Sequence, residues 1–99
     1  MAILVIAEIP GGTAEQDEAM VKRLGIGSNP PKGSLLRVAG PTPAGWRVVS
    51  LWESQEAFDG FRRDRLEPAL KEAGRPVPEF QISKAQSVIA NADLRTVAV

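Results

Sequence analysis

The chain has 99 residues, 43% hydrophobic and 24% charged, which bounds it to one globular domain with a modest core and argues against a disordered segment. Twelve basic residues cancel twelve acidic ones, so the electrostatic footprint of a nucleic-acid binder is missing. With no Cys, His or Tyr, the sequence offers no disulfide, thiolate nucleophile, zinc-finger site or histidine acid/base group. A haem would lack its common axial ligands, with Met20 as the formal exception. Carboxylates are left as the side-chain bases with ordinary pKa values, and the expectation is a protein needing no metal and no cofactor.

In chain order, residues 2–9 form an apolar run of strand composition. It carries no basic leader, is too short to span a membrane, and soon meets Glu8, Pro10 and a Gly-Gly pair. It is predicted as a central strand of a cytoplasmic protein, with no membrane partner. Thr13-Ala14-Glu15-Gln16 fits a capping box. The helix it opens runs to about Leu24, with Met20, Val21 and Leu24 inward and Gly25 as its stop. Residues 25–33, GIGSNPPKG, are loop by composition and match no phosphate-binding pattern. Residues 34–40 are the second strand.

The segment 39–61, AGPTPAGWRVVSLWESQEAFDGF, carries most of the architecture. Its Gly- and Pro-rich start reads as a hairpin loop. Residues 46–53 follow as a strand with two tryptophans, and Ser54 caps a helix whose first turn holds Glu56. Ala57, Phe58, Phe61, Leu66, Ala69, Leu70 and Ala73 make the helix's apolar side. Pro68 costs about 3 kcal/mol inside a regular helix, which predicts a bend at 64–67. Arg62, Arg63 and Arg65, interleaved with Asp59, Asp64 and Glu67, read as a solvated face. Gly74 ends the helix. Residues 79–89 are the last strand of a domain spanning 1–89, and 90–99 are a tail, apolar at Leu94, Val97 and Val99, which can pack on a partner subunit.

The order β-α-β-β-α-β is the ferredoxin-like α+β pattern, a four-stranded antiparallel sheet with both helices on one face. Apolar residues also mark the other face, and a second copy of the chain is its simplest cover. A hairpin pairing Gly40 with Gly45 sets Arg37 opposite Val48. Alternation then puts Arg37, Trp46, Val48, Ser50 and Trp52 on one side and Leu36, Val38, Val49 and Leu51 on the other. A guanidinium beside indoles can hold a planar anionic or phenolic ligand. Arg37, Ser50, Trp52, Phe58 and Phe61 are therefore the candidate substrate-binding set, against the alternative that Arg37 pairs with a carboxylate at a dimer seam while the tryptophans fill core. Glu8, the one charge in the first strand, and Arg37 are the catalytic candidates. Glu53 sits beside a helix start, where the dipole favours its charged form and a structural role. Asn29 and Asn91 are amides in loops.

Element order, length and the segment GWRVVSLWESQEAFDGF, above all Trp52-Glu53-Ser54 with Phe58 and Phe61, resemble the dimeric α/β-barrel superfamily. The closer likeness is to small proteins grouped with antibiotic biosynthesis monooxygenases. The resemblance spans residues 3–89. It implies two ferredoxin-like sheets joined face to face, a pocket between helices and sheet in each protomer, and a cofactor-independent oxygenase or polyketide cyclase acting on an aromatic or polyketide-type small molecule. The chain departs from haem-degrading members, which use a histidine ligand, and from related small proteins that often carry His at Arg37 and Asp at Ser50. A non-catalytic, ligand-binding or structural homodimer is the second functional expectation.

Overall fold

The structure is a computed structural model, and it describes residues 1–94; Val97 and Val99 of the apolar tail lie outside the described residues. Four strands, β1 (Ile3–Pro10), β2 (Ser34–Thr42), β3 (Gly45–Trp52) and β4 (Phe80–Lys84), form an antiparallel sheet in the order β2-β3-β1-β4. Helix α1 (Ala14–Leu24) joins β1 to β2. Helix α2 (Gln55–Phe61), a π-helical turn at Arg62–Leu66 and helix α3 (Glu67–Glu72) form the second crossover. This is the ferredoxin-like arrangement expected from the pattern.

The caps act as the residue types dictate. Thr13 accepts the Gln16 backbone N–H at 3.2 Å, and Gly25 closes α1 at φ 65°. Ser54 accepts the Ala57 N–H at 3.1 Å and opens α2 directly after β3. The apolar run of β1 alternates: Ile3, Val5 and Ala7 are buried beneath the helices, while Leu4, Ile6 and Glu8 are half-buried on the open face. A strand central in its sheet but covered on one side shows this pattern.

Three boundaries differ from expectation. The hairpin is longer, because pairing continues past Gly40 to Thr42↔Gly45, with Thr42 Oγ1 accepting the Gly45 N–H at 3.1 Å. Pro41 is tolerated because β2 is an edge strand. Arg37 therefore lies opposite Ser50, not Val48; the slip is two residues, so every side chain keeps its face. The last strand ends at Lys84 instead of residue 89. Lys84 already faces Ile3, the first residue of β1, and the Ala85 N–H donates to Ala2 O, just before that strand, at 2.9 Å. The predicted bend is instead the π turn at Arg62–Leu66, closed by the Glu67 N–H on Arg62 O. A wider turn ahead of Pro68 removes the clash and the missing donor that an α-helical proline would impose.

The π turn also divides the core. Before it, Phe58 with Ala57 and Phe61 packs on Ile3, Val5, Trp52 and Phe80 of the sheet. After it, Ala69 and Leu70 with Leu66 and Ala73 pack on Met20 and Leu24 of α1. Arg62 and Arg65 are not simply solvated. Arg62 pairs with Glu67 at 2.7 Å and lies 4.8 Å from the Phe80 ring centroid. Arg65 donates to the carbonyls of Leu24 at 2.6 Å and Asn29 at 3.4 Å, tying the 25–33 loop to the second crossover. Arg63 and Asp64 are exposed; their mutual hydrogen bond raises the arginine pKa and lowers that of the carboxyl.

Candidate functional site

The helix-covered face of β2 and β3 carries Arg37, Ala39 and Pro41 beside Trp46, Val48, Ser50 and Trp52. Of these Trp52 alone belongs to either buried cluster. Val48, Ser50, Trp46 and Ala39 are half-buried. These half-buried side chains, with the exposed Arg37, lie on the part of the helix-covered face outside the two buried clusters.

Arg37 and Asp17 form the strongest of these polar contacts. The guanidinium reaches from the edge strand to α1, with Nη2 at 2.5 Å from Oδ1 and Nη1 at 3.3 Å from Oδ2. The side chains keep 30% and 15% of their exposure respectively, so the pair lies partly exposed at the border of the layer. Arg37 is thus paired within its own chain, on the helix side of the sheet. Its fork holds one carboxylate and has the geometry to hold another planar anion.

Ser50 lies directly across from Arg37. Its Oγ accepts the Trp52 indole N–H at 2.9 Å, which leaves the serine O–H free to donate. Trp52 is 3% exposed and meets Phe58 edge-on at 5.5 Å between centroids and Phe61 at 5.3 Å. Phe58 in turn meets Phe80 at 5.2 Å. Trp52 and Phe58 are core side chains as well as the apolar end wall of this region, and half-buried Phe61 is the ring nearer to solvent.

Glu8 is on the other face of the sheet, paired with its cross-strand neighbour Arg47. The two catalytic candidates are therefore on opposite sides. The carboxylate beside Arg37 is Asp17, a residue outside the set expected from the sequence. It occupies the inner stripe of α1 at i, i+3, i+4, i+7 with Met20, Val21 and Leu24; a charge in that stripe was the signal for it. Glu53 is exposed and ties the 25–33 loop to the end of β3 through its backbone, its N–H donating to Gly33 O at 2.8 Å. Asn29 serves through its backbone, donating to Gly25 O at 2.8 Å and accepting from Arg65, and Asn91 is exposed.

A separate groove of about 430 Å³, open to solvent, runs between α1 and α3 along Ala19, Met20, Lys22, Arg23, Ala73 and Arg75. It contains none of the candidate residues. Among the described residues no group of three or more His, Cys, Asp or Glu is placed to hold a metal ion. No helix among them is long and apolar enough to cross a membrane.

No protein-family model and no curated protein matches the sequence. The fold does match solved structures. A candidate antibiotic biosynthesis monooxygenase from Chloroflexus aurantiacus J-10-fl superposes with a TM-score of 0.64 at 18% identity, over 93% of this chain and 100% of that one. SnoaB, a cofactor-independent oxygenase from Streptomyces nogalater, gives 0.62 at 12% identity, over 89% and 95%. A protein of unknown function from Nitrosomonas europaea gives 0.64 at 15%, over 92% and 93%. At these identities the likeness establishes a shared ferredoxin-like fold.

Proposed function

We propose that the chain is a cofactor-independent, monooxygenase-like or cyclase-like enzyme for an aromatic or polyketide-type small molecule, working as a homodimer in a dimeric α/β barrel. One observation carries this reading: on the helix-covered face Arg37 stands opposite Ser50 and pairs with Asp17 of α1, while Ser50 bonds Trp52, which meets Phe61. Such an arrangement suits a flat ligand with one acidic oxygen. The fold shared with a cofactor-independent oxygenase supports it.

The chemistry asks little of the side chains. A phenol or enol loses its proton, and the electron-rich anion passes an electron to dioxygen. The radical pair then combines, forming a C–O bond at the activated carbon. Loss of water from that peroxide converts a CH₂ into C=O: one oxygen stays in the product and the other leaves as water. Arg37 would hold the substrate anion and favour its ionised form, and Asp17, the adjacent carboxylate, would take the proton. Incubating the protein with hydroxylated polycyclic aromatics in air and under nitrogen tests this. Oxygen-dependent products that gain one oxygen and lose two hydrogens are expected, and their loss in Arg37→Ala is the control. Rearranged, ring-closed products formed equally under nitrogen would identify a cyclase.

The second reading is a non-catalytic, small-molecule-binding or structural homodimer. It is favoured by the contacts of Trp52 with Phe58 and Phe61 and by the existing partner of Arg37. Tight binding of the same aromatics without turnover in air would establish it in place of the enzyme.

A further inference from the structure

The indole N–H of Trp46 is shut off from solvent and has no acceptor among the described residues. Buried donors nearly always find a partner, and one left without costs more than its bond would have contributed. The chain's other tryptophan shows the ordinary solution, since Trp52 donates to Ser50 Oγ. Both indoles stand on the same face of β3, so the fold satisfies one and leaves the other open.

The position of Trp46 is closely held. Its cross-strand neighbours are Ile9 and Pro41. A Cβ added to Gly12 would come within 2.8 Å of Trp46 Cβ and 2.9 Å of Ile9 Cγ2, so the backbone leading into α1 lies directly on this residue. Four residues along β3, about 13 Å at strand rise, stands Ser50, opposite Arg37. One sheet face therefore offers a cationic fork and a hydroxyl at one place and an uncharged, unpartnered N–H at another, with Val48 between them.

We propose that Trp46 Nε1 is a ligand-binding donor, hydrogen-bonding a neutral acceptor oxygen, a ketone or quinone carbonyl, at the far end of an aromatic ligand whose acidic oxygen meets Arg37 and Ser50. The proposal rests on the binding face assigned above and adds a second polar end to its ligand. An uncharged indole N–H gives up little to a neutral carbonyl, whereas the Arg37 end selects the anion.

The test compares a naphthol bearing an acetyl group at the end opposite its hydroxyl with the analogue bearing ethyl there. Calorimetry on the full chain and Trp46→Phe should show the acetyl compound weakened by about three- to tenfold in the variant, the worth of one hydrogen bond, and the ethyl compound unchanged. With two tryptophans in the chain, the wild-type NMR spectrum has two indole N–H signals, which sequential assignment of the wild-type protein tells apart. The Trp46 signal should move on titration with the acetyl compound, and this readout does not depend on how the variant folds. Equal weakening of both compounds would make Trp46 a packing residue and overturn the proposal. So would an unmoved Trp46 signal at saturation, which would leave the donor to water; if Arg37→Ala still weakened both compounds, the binding face would stand. Failure of both compounds to bind the wild type would overturn the binding face and the Trp46 proposal together.

Discussion

Arg37 of the edge strand and Asp17 of α1 meet through two contacts, at 2.5 Å and 3.3 Å, at the β2 edge of the helix–sheet layer. The pair does two things at once. It ties α1 to β2, and it holds the strongest polar group of the candidate site beside a carboxylate that a bound anion would have to rival.

These roles separate on mutation. Arg37→Ala and Asp17→Asn should each lower stability modestly, with a coupling of about 1 kcal/mol in a double-mutant cycle, as befits a partly exposed ion pair. Binding should split the other way. Arg37→Ala should weaken an anionic aromatic ligand by about tenfold or more, while Asp17→Asn should tighten it, because the guanidinium is no longer neutralised. Calorimetric affinities left unchanged in both variants would remove Arg37 from the site.

Ser50 is the hydrogen-bond partner of a tryptophan that is 3% exposed. Ser50→Ala leaves that indole N–H buried and unpaired, at a cost of about 1–3 kcal/mol. For a domain of this size each kcal/mol is about 4–8 °C in melting temperature. Adding Trp52→Phe to Ser50→Ala should cost less than the two single effects summed, since the donor is gone. Additive melting shifts would show that the bond contributes nothing.

The sequence discloses the fold because each element carries its own punctuation: Thr13 and Gly25 around α1, Ser54 at the head of α2, the Pro- and Gly-rich hairpin between two strands. It also assigns the faces correctly, since alternation survives a two-residue error in register. The error arose because Pro41 reads as a loop residue, while an edge strand can hold it. Asp17 was missed for a different reason. A first-turn acid is explained by the helix dipole alone, and only its place in the Met20–Leu24 stripe marks it as inward. Trp46 Nε1 could not be found from sequence, because whether a buried donor has a partner depends on tertiary packing. The same holds for the π turn: Pro68 announces a defect in the helix, but the surrounding contacts decide its form.

Gly33 offers a sharp test of the join between the 25–33 loop and α2. Its φ is +85°, and an added Cβ would fall 2.5 Å from Ala57 Cβ. A left-handed conformation costs an alanine about 1–2 kcal/mol before any clash, and two β-carbons cannot share that separation. Gly33→Ala should lower the melting temperature by about 10 °C or more, whereas Gly27→Ala, with nothing within 4 Å of its Cβ, should be close to neutral. Similar melting temperatures for the two variants would refute the packing of the loop on α2.

The open face of the sheet is the remaining question, and its residues suggest the answer to test. Leu4 and Ile6 of β1, Val49 and Leu51 of β3, and Leu36 and Val38 of β2 share it by register, in cross-strand rows. Val38 is 54% exposed in the single chain. A contiguous apolar sheet face of this kind is costly to leave in water. A second copy placed sheet to sheet would cover it, and a stable dimer of that form buries more than about 1,200 Å² in total. The wild type should therefore sediment as a dimer at micromolar concentration. Val38→Asp would bury two unpaired carboxylates per dimer, each costing several kcal/mol, which predicts a dissociation constant raised by about a thousandfold or more. The folded monomer should survive, because residue 38 faces away from the helices and both buried clusters. The result to look for is a monomeric variant with unchanged far-UV circular dichroism. A wild-type chain that sediments as a monomer, or a Val38→Asp variant that still dimerises with unchanged affinity, would rule out this face as the interface.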